Sequence, residues 1–309
     1  MQAKIFIDGE SGTTGLVIRE MLQGRKDIEI LSIDPARRKD VQAKADIMAA
    51  ADLAVLCLPD DAAKESAALA ASLGANAPRL LDASTAHRVD TDWTFGFPEL
   101  TAGQADAIRR APRVANPGCY ATGAIALLRP LTDAGLIPAD FPVTINAVSG
   151  YSGGGKSMIA DYEARTAPDF ELYALGLEHK HLPEIQKYSG LSRRPLFVPS
   201  VADFRQGMLV SIPLHLDQLP ARPSGADLEA ALAARYKDGR FVTVVPSERI
   251  NGEAGKLEAQ SLNDTNNMEL RVYCNASRGH AVLVAKLDNL GKGASGAAVQ
   301  NLELMLGLS

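Results

Sequence analysis

Short apolar segments alternate with amphipathic or alanine-rich segments through the first third of the chain. The apolar segments have the pattern of buried strands and lie at residues 4–8, 28–33, 53–58 and 79–82. Segments with the pattern of helices lie between them, at residues 16–23 and 62–73. Alternation of this kind predicts a parallel sheet with helices on both faces, which is a Rossmann-type, doubly wound α/β domain.

The pattern changes in the second part of the chain. Alternating or β-branched segments predict further strands at residues 143–148, 197–201, 209–216, 241–245, 269–275 and 282–287. They indicate an α+β domain with a mixed or antiparallel sheet that is covered by helices on one face. We expect the boundary between the two domains close to Cys119, with one domain over residues 1–118 and the other over residues 119–288. A last helix is predicted at residues 296–306.

Composition narrows the class of protein. The chain has 309 residues, 46% of them hydrophobic, and a net charge of −5 without a long Lys/Arg block, which disfavours nucleic acid as a partner. No apolar run is long enough to span a membrane, and no signal peptide precedes the first strand. The three cysteines are too far apart for a disulfide framework or a zinc site, so we expect a cytoplasmic protein with free thiols: Cys57, Cys119 and Cys274.

Residues 116–123 form the motif with the clearest chemical content. Pro117 and Gly118 make a tight approach to Cys119, and an apolar helical pattern then continues as far as Gly135. This spacing places the cysteine in the first turn of a helix, where unpaired N–H groups and the helix dipole favour the thiolate. We therefore predict that Cys119 is a nucleophile that bonds covalently to the substrate. A small buried cysteine that closes a helix start is the alternative.

A glycine-rich motif, residues 9–15, occupies the first strand-to-helix turn. Its spacing is G-x-x-G-x-x-G, and not the commoner G-x-G-x-x-G. Glycines at this place let the backbone approach a pyrophosphate at the helix N-terminus, although a plain tight turn is the alternative. We predict that a nicotinamide dinucleotide binds here, in contact with Gly9, Ser11, Gly12, Thr13, Thr14 and Gly15.

The residues after the second predicted strand indicate which dinucleotide binds. That strand is expected to end at Asp34, where an acidic residue usually bonds the ribose 2′-hydroxyl of NAD. Arg37, Arg38 and Lys39 follow, and such cations suit the 2′-phosphate of NADP or else form a solvated basic turn. We predict NADP. A nucleophilic cysteine beside this cofactor suggests a reaction in which a thiolate displaces the leaving group of an activated acyl group and a hydride reduces the thioester to an aldehyde.

Residues 178–185 supply candidate acid–base groups. His179 and His181 share a face if the segment is extended, and Glu184 stands where a carboxylate can fix the tautomer of an imidazole. Either histidine can exchange a proton with the reacting oxyanion; we favour His181, which is nearer to Pro183 and Glu184. A metal site and two surface histidines without a role are the alternatives, and a third metal ligand at a convincing distance is not visible in the sequence.

Two other segments offer cations to an anionic substrate. Residues 153–156 combine three glycines with Lys156, and residues 82–88 follow a strand at the end where ligands bind such sheets and contain Arg88. A flexible turn and a structural arginine are the alternatives. We predict substrate contacts at both cations.

Taken together, these motifs resemble the N-acetyl-γ-glutamyl-phosphate reductase family in its shorter form. The similarity covers nearly the whole chain and includes residues 9–15, 97–100, 116–122, 149–156, 179–185 and 287–302. This family shares its fold with aspartate-semialdehyde dehydrogenase and, more loosely, with glyceraldehyde-3-phosphate dehydrogenase. The resemblance implies that NADPH reduces N-acetyl-L-glutamyl 5-phosphate to N-acetyl-L-glutamate 5-semialdehyde and phosphate, as a step of arginine biosynthesis.

The resemblance also implies roles for parts of this chain. Cys119 would expel the phosphate, and Asn116 and Ser149, which lie in the matched motifs, join Arg88 and Lys156 as candidate substrate-binding residues. The last helix would return to the cofactor domain, so that residues 289–309 join residues 1–118. Family members assemble through the substrate domain, which implies a homodimer or a homotetramer here.

The sequence departs from related families at two places. Aspartate-semialdehyde dehydrogenases usually carry a glutamine on the strand after the cysteine helix, but residues 146–150 contain none, which favours the acetylglutamyl reductase. His87 replaces the aromatic residue of the longer reductase form, which supports the short form and leaves the role of His87 open. Two alternatives remain, a related acyl-phosphate reductase such as aspartate-semialdehyde dehydrogenase and a non-catalytic regulator that senses a dinucleotide.

Overall fold

The chain folds into two compact units. The computed structural model describes residues 2–38, 40–250 and 255–308, so Lys39 of the predicted basic run lies outside the described residues. The first unit comprises Met1–Pro98, Ala102–Pro117 and Ala294–Ser309. The second unit comprises Glu99–Thr101 and Gly118–Gly293. The C-terminal segment thus belongs to the same unit as the N-terminal segment.

A six-stranded parallel sheet forms the centre of the first unit. Its strands are β1 (Ala3–Asp8), β2 (Ile28–Leu31), β3 (Leu53–Leu56), β4 (Arg79–Asp82), β5 (Thr94–Phe95) and β6 (Arg113–Ala115). They lie in the order β2-β1-β3-β4-β6-β5, and every neighbouring pair is parallel. All residues of β3 are buried, as expected for a central strand that is covered on both faces.

Helices cover both faces of this sheet. They are α1 (Thr13–Leu22), α2 (Val41–Ala50), α3 (Asp60–Ser72), α4 (Gln104–Arg110) and α10 (Gly296–Leu306). One face packs on α1, α4 and α10 through a core that includes Ile18, Ile108 and Leu302. The other face packs on α2 and α3 through Met48 and Ala70. The doubly wound parallel sheet predicted from the sequence is confirmed.

A seven-stranded mixed sheet forms the centre of the second unit. Its strands are β7 (Thr144–Gly150), β8 (Phe170–Leu172), β9 (Leu196–Ala202), β10 (Met208–His215), β11 (Val242–Val244), β12 (Met268–Asn275) and β13 (His280–Leu287). They lie in the order β11-β12-β13-β10-β7-β9-β8. The pairs β7–β9 and β11–β12 are parallel, and the other neighbours are antiparallel. The predicted mixed sheet is confirmed.

The helix that begins at Cys119 is held by the core of the second unit. The helices of this unit are α5 (Cys119–Asp133), α6 (Gly155–Glu163), α7 (Leu182–Tyr188), α8 (Gly225–Tyr236) and α9 (Ser247–Ile250). Helix α5 is buried along most of its length and packs on β10 and β13. Gly123 allows a close approach, because a Cβ there would stand 2.9 Å from the Val210 side chain.

Several element ends differ from the predictions, and two of them lie beside the predicted cofactor site. Helix α1 begins at Thr13, because Gly15 has no side chain and lets the first helical turn lie against the Gly9 carbonyl. Strand β2 ends at Leu31, before Asp34; the Asp34 carboxylate instead accepts a hydrogen bond from the Ala36 N–H at 2.9 Å and opens a 3-10 turn. Across the part of the chain that the structure describes, no helix is long and apolar enough to cross a membrane.

Candidate active site

Cys119 is the first residue of α5, as the sequence spacing predicts. The N-cap residue, Gly118, has extended backbone and no side chain that caps the helix. The N–H and the hydroxyl of Thr122 both donate to the Gly118 carbonyl, at 2.8 and 3.0 Å, and secure this first turn. Cys119 is partly exposed. A partly exposed sulfur at a helix start without a side-chain cap has the surroundings that favour a reactive thiolate.

A buried carboxylate lies beside this helix start. Glu184, in the first turn of α7, is only 1% exposed. Its Oε2 accepts a hydrogen bond from the Gly118 N–H at 3.2 Å. Glu184 therefore acts on the residue that precedes the cysteine, a role that its sequence spacing from the two histidines did not indicate.

The two histidines of the H-x-H motif are packed together. His179 and His181 are both buried, and their ring centroids lie 4.7 Å apart. Tyr120, the neighbour of Cys119 in the chain, contacts both rings with centroid distances of 5.8 and 5.9 Å. The two histidines would share a face in an extended segment, but His181 has helical backbone angles as the N-cap of α7. The turn thus gathers both imidazoles around the tyrosine that follows the cysteine.

Backbone hydrogen bonding determines which nitrogen of His179 carries the proton. The His181 N–H donates to Nδ1 of His179 at 3.1 Å. Nδ1 is therefore an acceptor, and neutral His179 carries its proton on Nε2, which lies 3.4 Å from the Tyr173 hydroxyl. Among the described residues, no group of three or more His, Cys, Asp or Glu side chains is arranged to hold a metal ion.

Two tyrosines that the sequence analysis did not single out complete the cluster. Burial raises the pKa of Tyr120 and of Tyr173 far above the usual phenol value, and a negative charge on Cys119 raises both further. The Tyr120 hydroxyl donates to the Ser200 carbonyl at 2.8 Å. Both phenols therefore stay protonated at neutral pH, within electrostatic reach of the sulfur. The position of Tyr120 beside the cysteine was a visible signal, whereas Tyr173 lies in a loop without a recognisable motif.

Ser149 joins this cluster, whereas Lys156 lies at the surface of the same unit. Ser149 is buried in β7; its hydroxyl donates to the Gly150 carbonyl at 2.9 Å and also interacts with the phenol of Tyr120. Lys156 lies in the first turn of α6 and is exposed. Of these two predicted substrate-binding residues, Ser149 belongs to the cluster of side chains around Tyr120 and Cys119.

In the first unit, the glycine turn has the form that a dinucleotide pyrophosphate requires. Gly9 has a φ of +89°, and its carbonyl accepts a hydrogen bond from the Gly12 N–H at 2.9 Å. A Cβ on Gly15 would collide with the same carbonyl. Gly12 is the N-cap of α1 and supplies no side-chain cap, which leaves the first-turn N–H groups and the positive end of the helix dipole for an anion. These residues fit a nicotinamide dinucleotide.

The side chains around this turn are small and accessible. Ser11 is exposed, while Thr13 and Thr14 are half-buried in the first turn of α1. The carbonyl of Thr14 accepts a hydrogen bond from the Ser295 hydroxyl at 3.4 Å. The side chains of this turn are therefore at least partly accessible to solvent.

The two described arginines of the basic run have different surroundings. Arg37 pairs with Asp40 at 2.6 Å, and the hydrogen bond from Arg37 holds the pKa of Asp40 below its usual range. Arg38 lies 3.4 Å from Glu10, which also pairs with Arg19 at 2.6 Å. Arg38 and Asp40 line a cavity of about 330 Å³. Arg38 thus has the more distant carboxylate partner and stands at the wall of a cavity.

Arg88 and Asn116 are engaged within the first unit. Arg88 is buried, and its Nε donates to the Asn116 carbonyl at 2.9 Å. The Asn116 N–H donates to the Asp82 carbonyl at 2.7 Å. The Asn116 side chain donates to the Ala294 carbonyl at 3.0 Å and accepts from the Asn301 amide at 2.9 Å. These contacts link the segments after β4 and β6 with the segment of α10, so both residues have a structural role, which for Arg88 is the alternative considered in the sequence.

His87, whose role the sequence left open, closes the loop after β4. Its Nδ1 bonds the buried carboxylate of Asp82 at 2.7 Å, and its ring stacks on Trp93 with centroids 4.1 Å apart. The same carboxylate accepts hydrogen bonds from the N–H and the hydroxyl of Ser84. His87 therefore contributes to the rigidity of this loop.

Comparison with known protein families identifies the class of protein. Residues 4–108 match the model described as the semialdehyde dehydrogenase NAD binding domain. Residues 119–289 match the model described as the semialdehyde dehydrogenase dimerisation domain. The chain therefore belongs to the semialdehyde dehydrogenase family and is an oxidoreductase that binds a nicotinamide dinucleotide.

Curated relatives narrow this class. The N-acetyl-gamma-glutamyl-phosphate reductase of Chelativorans sp. is 56% identical over 310 residues, which cover 99% of both chains. The reductase of the same name from Brucella suis is 54% identical over 312 residues, which cover 99% of this chain and all of that protein. Within its family, the chain thus belongs with the N-acetyl-γ-glutamyl-phosphate reductases.

Solved structures share the fold at low sequence identity. An aspartate semialdehyde dehydrogenase from Francisella tularensis has a TM-score of 0.71 at 12% identity and covers 99% of this chain and 100% of that chain. An aspartate semialdehyde dehydrogenase from Candida albicans, solved with NADP, has a TM-score of 0.68 at 15% identity and covers 99% of both chains. At these identities the similarity shows the fold alone.

Proposed function

We propose that this enzyme uses NADPH to reduce N-acetyl-L-glutamyl 5-phosphate to N-acetyl-L-glutamate 5-semialdehyde and phosphate, in arginine biosynthesis. The observation that carries the proposal is the partly exposed Cys119 at the start of α5, with Glu184 on the preceding N–H and two imidazoles packed on Tyr120. The names of relatives that match over nearly their whole length support this substrate.

The chemistry requires a thioester on Cys119. The thiolate attacks the acyl carbon, a C–S bond forms, and the C–O bond to phosphate breaks, so that phosphate leaves with the electron pair. When bound, the reduced dinucleotide supplies a hydride. Hydride addition to the thioester carbon would give an oxyanion, which a neighbouring imidazolium protonates; the imidazole takes this proton back as the C–S bond breaks, which releases the aldehyde and restores the thiolate. The first-turn N–H groups of α5 stabilise the thiolate before it attacks the substrate and again after the aldehyde is released.

We assign the proton exchange with the oxyanion to His181. The hydrogen bond from the His181 N–H to Nδ1 of His179 supports a positioning role for His179. Substitution of His181 by Asn is expected to lower kcat more than substitution of His179 by Gln, because the first change removes the proton donor. A larger loss in the His179 variant would reverse the assignment. Glu184, through the Gly118 N–H, positions the nucleophile.

Two residues are proposed to bind the substrate anion. Ser149 is favoured by its interaction with Tyr120, and Lys156 by an exposed ammonium in the first turn of α6. The hydrogen bonds of Arg88 and Asn116 to backbone groups of the first unit favour a structural role for both. We therefore propose that they stabilise the loop ends after β4 and β6 instead of contacting the substrate.

The form of the glycine turn supports dinucleotide binding, and the basic run supports NADP over NAD. Arg38 is the favoured partner of the 2′-phosphate, because it lines a cavity and its nearest described carboxylate is 3.4 Å away. Arg37 is already paired with Asp40 at 2.6 Å.

Replacement of Cys119 by Ser tests the proposed mechanism. We expect turnover to fall by about 10³-fold or more, since the weaker nucleophile forms no thioester, while dinucleotide binding is retained. Steady-state rates with each semialdehyde, phosphate and NADP⁺ test the substrate. Parental turnover in the variant would exclude covalent catalysis, and a preference for aspartate semialdehyde would exclude the proposed substrate.

We also propose that a second copy of this chain covers an exposed face of the second sheet. Phe170 and Leu172, which are 57% and 48% exposed, line a cavity of about 530 Å³ on this face together with Val282. The match to a dimerisation domain supports a second copy as the occupant. A Phe170→Glu variant is expected to be monomeric by light scattering; an unchanged mass would refute the choice of this face.

A further inference from the structure

A buried ion pair in the second unit has no part in the mechanism described so far. Lys292 is fully buried, and its Nζ lies 2.8 and 2.9 Å from the two carboxylate oxygens of Glu99. The ring centroid of Phe241 lies 5.5 Å from the same nitrogen. Burial lowers the pKa of Lys292, and Glu99 opposes this shift. Charges removed from water in this way hold each other in place, and the loss of one leaves the other uncompensated.

Lys292 lies in a π-helical segment, Gly291–Ser295, and the residue that follows it packs on Cys119. Gly293 lies so close to Cys119 that a Cβ on this glycine would stand 2.8 Å from Cβ of Cys119 and 3.3 Å from its Cα. The Gly293 N–H donates to the Asp288 carbonyl at 3.0 Å and closes the turn. A displacement of Lys292 therefore moves the surface against which Cys119 rests.

The turn that this hydrogen bond closes comprises residues 288–293, and other groups hold its beginning in place. The Asp288 carboxylate accepts a hydrogen bond from the Asp264 N–H at 2.8 Å. The Asn289 side chain accepts from the Gly207 N–H and donates to the Ser152 hydroxyl, both at 2.9 Å. The ion pair thus secures the end of the turn that lies nearest in sequence to Gly293.

We infer that Lys292 and Glu99 are positioning residues, whose ion pair holds Gly293 against Cys119 and so places the sulfur for attack. This inference rests on the proposed role of Cys119 as the nucleophile. Because the pair acts through the backbone, its loss is expected to slow the reactions of the sulfur and to leave substrate affinity nearly unchanged. The Michaelis constant and the turnover number should therefore respond differently.

The experiment compares two buried lysines of the same unit. Lys292→Met removes the proposed positioning charge, and Lys286→Met is the matched control, because Lys286 is also buried and pairs with Glu269 at 3.1 Å but lies in β13. Each variant is made in the complete chain with Cys274→Ser, which removes the exposed thiol. Burial raises the pKa of Cys57 to about 12, so we expect this thiol to react slowly with iodoacetamide at neutral pH. Iodoacetamide then reports on Cys119.

We expect Lys292→Met to lower both kcat and the alkylation rate constant by about tenfold or more, with KM changed less than about twofold. Lys286→Met should change all three by less than about twofold. Glu99→Gln, which retains an acceptor oxygen, should give a smaller loss than Lys292→Met. Equal alkylation rates in the two lysine variants, with folding verified by thermal unfolding, would overturn the inference.

A double variant separates positioning from stability. Glu99→Leu with Lys292→Met replaces the ion pair by apolar groups, so the melting temperature should recover toward the parental value. If the ion pair positions Cys119, alkylation of Cys119 should remain slow in the double variant. Parental rates of alkylation and turnover in the folded double variant would overturn the positioning role. Full activity of Cys119→Ser would instead refute the proposed function, while an inactive Cys119→Ser variant with parental rates in Lys292→Met would refute the positioning role alone.

Discussion

Two helices of this protein begin in the same way, and we propose that their N-termini stabilise different anions. Both α1 and α5 follow a glycine N-cap that supplies no side-chain hydrogen bond. The first turn of α1 carries Thr13, Thr14 and Gly15 and remains partly accessible, which suits the phosphates of a ligand. The first residue of α5 is Cys119, so the N–H groups there can stabilise an anion that belongs to the protein itself.

The two helix starts differ in what holds them. The glycine turn is shaped chiefly by a local contact, because the Gly9 carbonyl bonds the Gly12 N–H and leaves no room for a side chain on Gly15, although Ser295 also donates to the Thr14 carbonyl. The start of α5 depends on residues far away in the sequence, since Glu184 accepts from the Gly118 N–H and Gly293 packs on Cys119. The turn proposed to bind the dinucleotide is thus built mainly from local contacts, whereas the turn that carries the proposed nucleophile also depends on tertiary contacts.

Among the variants that test this comparison, the largest expected effect is on dinucleotide affinity and comes from a change in the glycine turn. In a Gly15→Ala variant, the new Cβ collides with the Gly9 carbonyl, and the dinucleotide Kd should rise about 100-fold or more by titration calorimetry. Gly12→Ala is the graded control, because its Cβ would stand 3.3 Å from the same oxygen and should cost about tenfold or less. Cys119 alkylation should not change in either variant. Slower alkylation would show that the two helix starts are not independent.

A smaller effect is expected at the start of α5. Glu184→Leu leaves the Gly118 N–H without this buried acceptor, which costs about 1–3 kcal/mol and corresponds to roughly 5- to 150-fold slower alkylation of Cys119. Glu184→Gln retains an oxygen acceptor and should lose less. Dinucleotide affinity should remain parental in both variants. If Leu and Gln at this position behave alike, the hydrogen bond to Gly118 is not what places the cysteine.

The smallest effect concerns the choice of dinucleotide. Arg38→Ala should raise the NADPH Kd by about fivefold, because an exposed ion pair contributes on the order of 1 kcal/mol, and it should leave the NADH Kd unchanged. Arg37→Ala should change the NADPH Kd by less than about twofold, since Asp40 already pairs with Arg37. Both constants can be measured by fluorescence titration. An unchanged NADPH affinity in the double variant would mean that the basic run is a solvated turn.

The sequence predicted those features that depend on neighbours along the chain. Apolar periodicity indicated the parallel sheet and the mixed sheet, and the Pro117–Gly118 approach indicated that Cys119 begins a helix. Prediction from the sequence failed where side-chain hydrogen bonds or a turn replaced regular secondary structure. Asp34 was expected at a strand end, yet its carboxylate caps a 3-10 turn. An extended segment would have placed His179 and His181 on one face, yet the chain turns there to begin α7.

By itself, the sequence determined the class of fold and the cysteine at a helix start, because periodicity, glycine and proline act over a few residues. Only the tertiary structure decided which groups surround that cysteine. Glu184, Tyr173 and the Lys292–Glu99 pair come from distant segments of the second unit, and their contacts arise when buried polar groups must find partners inside a packed core. That requirement is met in three dimensions, so sequence spacing alone does not reveal which partners meet.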